Sequence, residues 1–206
     1  MELDRRRLSE LIMDAADRAV TEGMPEAIAR QLDDNNLVIP LAVDIDGDVA
    51  MATLLTWTEQ NSGWEPGLCN ARLVKRKDDW FLATRSGGAA PRDYPLANRQ
   101  PADPPGLHIR VYEAGAQNGS SGGKSWLMAA IHVTAEVETL RIGSRHRAVP
   151  FHGYLPVVVR NSAEAVIAAV GSDGSVLETI DLRRDPSDLY RELRHRVPDA
   201  WPFRMR

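Results

Sequence analysis

The stretch WLMAAIHVTAEVETLRIGSRHRAVPFHGYLPVVVRNSAEAVIAAVGSDGSVLETIDL, residues 126–182, has the longest unbroken strand-like texture in the chain. Val133, Ala135 and Val137 alternate with Thr134, Glu136 and Glu138, a period of two that predicts a half-buried strand. Leu140 and Ile142 fall on the opposite parity, so a bulge or turn is expected near Thr139. Tyr154 to Val159 and Ala165 to Val170 are short Val-rich runs. Ser172-Asp173-Gly174-Ser175 separates the latter from Val176 to Leu182. Asp-Gly between two β-prone runs predicts a hairpin, because Gly tolerates the positive φ that tight turns require. The stretch therefore reads as antiparallel β.

Working outward, Leu37 to Val43 and Val49 to Thr58 flank Asp46-Gly47, a second predicted hairpin of the same kind. Leu68 to Lys75 and Trp80 to Thr84, joined across Arg76-Lys77-Asp78-Asp79, extend it into a meander. Leu107 to Ala114 adds another strand, for a total of about nine or ten. Helices are expected only near the ends. Leu8, Leu11, Ile12, Ala15, Ala16 and Ala19 recur at helical spacing from Asp4 to Gly23. Pro25 suits the first turn of a second helix carrying Ala27, Ile28 and Leu32, stopped by Asp33-Asp34-Asn35-Asn36. Asp185-Pro186-Ser187-Asp188 opens a short C-terminal helix running to about Arg196.

The expected fold is α+β and mostly antiparallel β: a sandwich or strongly curved sheet with two N-terminal helices and a short C-terminal helix. Residues 1–206 are read as one domain with a long Pro-rich loop at 86–106, since Ser86 to Gly106 holds five prolines and a Gly-Gly pair. The alternative is a helical-β lobe at 1–86 and a β lobe at 107–206. The loop is expected to be poorly protected and to be cut first by trypsin at Arg92 or Arg99.

Composition narrows the function classes. The chain has 206 residues and a formal net charge of −4, but residues 1–50 carry 12 Asp/Glu against 5 Arg. An acidic front half argues against nucleic acid as the partner, because phosphate neutralisation needs a basic face. The single cysteine, Cys69, allows no internal disulfide and favours a reducing compartment. No apolar run approaches the roughly 18 residues of a membrane span, and no leader-like h-region opens the chain, so no membrane partner is assigned and a cytoplasmic setting is expected.

Each motif with chemical meaning lacks part of its context. Asp44, Asp46 and Asp48 are spaced like the first ligands of a calcium loop, but Val49 follows where Gly is needed and Leu55 stands where a bidentate Glu belongs. Gly123-Lys124-Ser125 ends like a phosphate loop, yet Asn118 occupies the position of its first Gly. Gly119-Ser120-Ser121-Gly122-Gly123 matches the nucleophile elbow of a serine hydrolase, with Asp173 or Asp181 and then His195 in the matching chain order. An elbow requires a helix directly after the Ser, and a strand is expected there, so Ser121 is read as idle in a hairpin loop. Arg145-His146-Arg147 and His152 make a small basic cluster. His146 and His152 have no acidic or Cys partner at ligand spacing, so no metal is assigned. Cys69 has no local group that would lower its pKa and is read as a bystander.

The pattern in 132–182 (a Val/Glu-alternating strand, an Arg-rich turn, Gly153-Tyr154-Leu155-Pro156-Val157, then Val166–Val170, Ser172-Asp173-Gly174 and Val176-Leu177-Glu178) resembles β-rich segments of uncharacterised actinobacterial proteins. That resemblance implies architecture only. The leading expectation is a non-catalytic cytoplasmic binding or protein-interaction module, with a protein or small ligand as partner, no cofactor and no catalytic residues. The alternative is a small-molecule-binding or enzymatic cone-shaped pocket similar to the nuclear-transport-factor-2 superfamily, suggested by helix–helix–strand order and by Trp80 in a late hairpin.

Overall fold

Asp4 starts the first element by accepting the Arg6 N–H at 2.8 Å, which satisfies one of the donors that a helix leaves open at its start. The helix, α1 (Arg5–Thr21), buries Leu8, Ile12, Ala15, Ala16, Ala19 and Val20 along one face. Glu22 closes it through Arg18 O, and Gly23 turns the chain away at φ 92°. The first predicted helix is therefore present. This computed structural model describes residues 4–60, 63–89, 91, 94–118, 125–160 and 162–184. The expected C-terminal helix at 185–196, with His195, lies outside the described residues.

The second N-terminal helix does not form. Residues 25–36 run as irregular chain, because tertiary partners claim the backbone groups that a helix would have used. Arg30 O accepts the Leu96 N–H at 2.7 Å, and the Leu32 N–H donates to the Tyr94 hydroxyl at 2.9 Å. A helix of two turns is too short to hold itself together against such competition. Asp33 ends the segment as an Asx turn, accepting from the Asn35 and Asn36 N–H groups, which holds its carboxyl below the usual range.

Four strands follow: β1 (Val38–Asp46), β2 (Val49–Gln60), β3 (Gly63–Arg76) and β4 (Asp79–Ala89), paired antiparallel in that order. Asp46 pairs with Val49, so the two-residue loop is Gly47-Asp48, with Gly47 at φ 66° supplying the positive φ. Register along β2 and β3 is continuous from Val49↔Val74 to Gln60↔Gly63. Leu8, Ile12, Ala15, Ala16 and Val20 of α1 pack on Ala50, Ala52 and Leu54 of β2 and on Cys69, Ala71 and Leu73 of β3. The alanines let the helix come close, while each large side chain buried there contributes about 1.5–3 kcal/mol.

The predicted loop from Ser86 is corrected at both ends. Ser86–Ala89 continue β4, and Gly87 is there because the strands touch: a Cβ on it would lie 2.4 Å from Leu68 O. Farther along, Leu96 is 2% exposed and the Arg99 N–H donates to Phe151 O at 2.8 Å. The Ala135 N–H donates to Gln100 O at 2.8 Å, and the Ala102 N–H to a Glu136 carboxylate oxygen at 2.9 Å. Residues 94–108 are laced down, and Arg99 is not the open site expected of it. Arg92 lies outside the described residues.

The chain divides into two compact units, Met1–Ala97 with Tyr154–Val158, and Asn98–Gly153 with Val159–Arg206. In the second unit, β5 (Ile109–Asn118) and β6 (Ser125–Val133) form a hairpin closed by Asn118↔Ser125. The expected strand across Val133–Glu138 is instead broken at Thr134-Ala135-Glu136, a turn in which the Val137 N–H donates to Thr134 O. The expected alternation fails inside the turn, where Thr134 is buried and Ala135 exposed, while Val133 ends one strand and Val137 opens the next, both fully buried. Then come β7 (Val137–Ile142), β8 (Arg145–Ala148), β9 (Tyr154–Val159), whose residues Tyr154–Val158 belong to the first unit, β10 (Val166–Gly171) and β11 (Val176–Asp181). The second four-stranded sheet has the order β11-β10-β7-β8. Arg145-His146-Arg147 is thus a strand, not a loop. Between β10 and β11 the Gly171 N–H donates to Ser175 O, leaving a three-residue loop, Ser172-Asp173-Gly174, with Gly174 at φ 80°.

Candidate binding cleft

The sequence motifs do not converge on a site. Asp44 is 5% exposed and its Oδ2 accepts the Val158 N–H at 2.7 Å, while Asp46 ends β1 and Asp48 sits in the turn. Asp173 accepts both the N–H and the hydroxyl of Ser175, which lowers its pKa, the hydroxyl contributing most. Asp181 is held low chiefly by its hydrogen bonds from the Arg183 guanidinium, at 2.6 to 3.1 Å. Both acids of the hydrolase pattern therefore serve local turns. Gly119–Gly123 and Lys124 lie outside the described residues; the strands on either side are antiparallel neighbours. His146 is exposed on β8, whereas His152 is buried against Phe151 with ring centroids 5.0 Å apart. Among the described residues no group of three or more His, Cys, Asp or Glu is placed to hold a metal ion.

A second cluster, around His108, has the residue types of an acid–base device but uses them otherwise. Glu178 accepts the His108 and Ile109 N–H groups at 2.6 and 2.7 Å. His108 Nδ1 lies 3.1 Å from the Thr134 hydroxyl and 3.7 Å from Glu136. Burial pushes the Glu136 carboxyl up, but the Ala102 N–H, the Thr134 hydroxyl and the His108 charge together hold it below the ordinary value. These carboxylates are occupied by backbone donors, and the arrangement is a clasp for residues 100–109.

What the first unit does offer is a cleft of about 420 Å³ between the N-terminal half of α1 and the ends of β2, β3 and β4. Leu8 and Ile12 come from the helix, Thr56 to Glu59 from β2, Trp64 and Cys69 from β3, and Arg85 to Gly87 from β4. Its composition follows from one irregularity. Thr84 pairs with Arg72 but Leu82 with Leu73, so Ala83 is an extra residue, a β-bulge that shifts the parity of Thr84 to Gly87. Arg85 then pairs with Ala71, and Gly87 with Cys69, which puts both on the helix-facing side. Without the bulge Thr84 and Ser86 would hold those places.

Three polar features distinguish this cleft. The Trp57 indole N–H is buried without an acceptor among the described residues. Arg5 and Glu59 form an ion pair linking α1 to β2, and that pairing raises the Arg5 pKa, the hydrogen bond first and the opposite charge second. The Arg85 side chain, exposed at the rim, has no ion pair or hydrogen bond among the described residues. Trp57 and Trp64 both pack against the core beneath. The sequence carries no spacing signal for isolated residues such as Trp57, Trp64 and Arg85; the fold groups them, and the bulge brings in Arg85. Cys69 is placed in this cleft at 5% exposure. No family model, curated protein or solved structure matches the chain.

Proposed function

We propose that this protein is a non-catalytic binding module whose working surface is the cleft between α1 and β2–β4, and that its occupant is a small molecule with an aromatic or aliphatic body. The observation that carries this reading is the buried Trp57 N–H beside a concave apolar site. An unpaired buried donor costs about 1–3 kcal/mol, and Trp57 is one of the residues that line the cleft. The cleft volume falls in the usual range for small-molecule sites, roughly 300–1,000 Å³. The residues around it comprise one ion pair, one further cation, hydroxyls and indoles, with no carboxylate free of a salt bridge to act as a base. The alternative of a cone-shaped pocket under two N-terminal helices is less well supported, since only α1 forms.

The test is a titration of intrinsic Trp fluorescence with small aromatic and aliphatic probes. Saturable quenching is expected, and Ser9→Trp, which places an indole in the cleft from the partly exposed side of α1, should abolish it while leaving the circular dichroism unchanged. Binding that survives in the filled variant would locate the site elsewhere and sink the proposal.

A further inference from the structure

We infer that the ligand of this cleft is an apolar monocarboxylate, its anionic head read by Arg85 at the rim and its body held on the indoles and aliphatic side chains beneath. This rests on the reading of the cleft as a small-molecule site and adds the charge of what it takes. Charge complementarity carries the step. The cleft walls contain two arginines and one carboxylate, and Glu59 is already neutralised by Arg5. Arg85 is thus left as one uncompensated cation without an acceptor among the described residues. The second side-chain donor of the cleft residues without an acceptor among the described residues is the Trp57 N–H.

Both vacancies ask for acceptor oxygens, and neither asks for a donor. A cationic ligand would meet Arg85 with like charge and leave Trp57 unpaired. A phosphate dianion would need more than one free cation and would gain nothing from Leu8, Ile12 and the indoles. A monocarboxylate on an apolar body matches the one guanidinium through an ion pair that a neutral analogue cannot make, and its oxygens suit an indole N–H as well as a carboxamide oxygen would. The position of Arg85 on this side of the sheet is itself a product of the Ala83 bulge, and bulges recur where a side chain must be re-aimed toward a site.

The experiment is calorimetric titration of the full chain with naphthalene-2-carboxylate and with its neutral counterpart naphthalene-2-carboxamide, in wild type, Arg85→Gln and Arg85→Lys. In wild type the carboxylate should bind about tenfold more tightly, the ratio expected of one charge-assisted hydrogen bond. Arg85→Gln should erase that preference without weakening the carboxamide, and Arg85→Lys should keep most of it. Equal affinity of the two probes for wild type would overturn the inference while leaving the cleft as a binding site. A preference unchanged in Arg85→Gln would also overturn it, by placing the charge reader elsewhere. If neither probe binds, the inference falls together with the reading on which it rests.

Discussion

Gly87 shows how a single residue can be misread from its type. In sequence Gly87-Gly88 looks like the end of a ladder, whereas in the fold Gly87 keeps β4 against β3, where a Cβ would meet Leu68 O at 2.4 Å and the Cys69 Cα at 2.9 Å. Backbone atoms cannot rotate away as a flexible side chain would. Gly87→Ala is therefore expected to cost about 1–3 kcal/mol by strand displacement, read as a lower urea midpoint, and to disturb the cleft that Gly87 lines. An unchanged midpoint would mean the strands part freely there. Asp44 makes the opposite point, since its triplet with Asp46 and Asp48 suggests a cation while its carboxylate caps the Val158 N–H. Asp44→Ala should cost about 1–3 kcal/mol, because it strands a buried donor; a loss under half a kcal/mol by chemical denaturation would show that water replaces the carboxylate. The Asp-Gly turns were legible because their chemistry is local. The roles of Asp44, Trp57 and Arg85 were not, since each depends on a partner or a bulge that spacing does not encode.

At the level of elements, α1 and most strands could be read from periodicity, and the errors fell where tertiary contacts override it. Residues 25–36 have helical cues but give their backbone groups to Tyr94 and Leu96. The prolines of 86–106 suggested an open loop, yet residues 94–108 find enough acceptors to lie down. Arg99 is the clearest case: its guanidinium donates to Thr134 O and Val137 O, and burial lowers its pKa despite the nearby Glu138 and Glu136. In limited trypsin digestion of the native protein, cleavage after Arg99 should be slow, appearing only as the whole protein unfolds; an early cut there would restore the open-loop picture. Glu136 gives this segment a pH dependence. Its folded pKa lies below the ordinary glutamate value, so its contribution to stability is complete above that value and disappears as pH falls through the folded pKa. The difference in melting temperature between wild type and Glu136→Gln should thus be largest near neutrality and shrink below about pH 4. A gap that stays constant down to pH 3 would show that the carboxylate charge plays no part in the clasp.

For the whole molecule, the sequence showed a mostly antiparallel β chain but not how it is partitioned. The leading expectation is one domain over 1–206, with lobes at 1–86 and 107–206 as the alternative; the first compact unit runs to Ala97 and also includes Tyr154–Val158, which no linear reading of composition could assign to it. One long-range hydrogen bond within that unit runs from the Val158 N–H to Asp44. Among the described residues no helix is long and apolar enough to cross a membrane. If the cleft of the first unit is a ligand site, the Trp57 indole, which lines it, reports on its occupancy. In a ¹H–¹⁵N correlation spectrum, with the Trp57 Nε1 cross-peak assigned by its loss in Trp57→Phe, titration with naphthalene-2-carboxylate should move that peak saturably and leave the Trp126 indole peak in the second unit unmoved. A spectrum in which the Trp57 peak stays in place while peaks of the second unit shift would contradict the account.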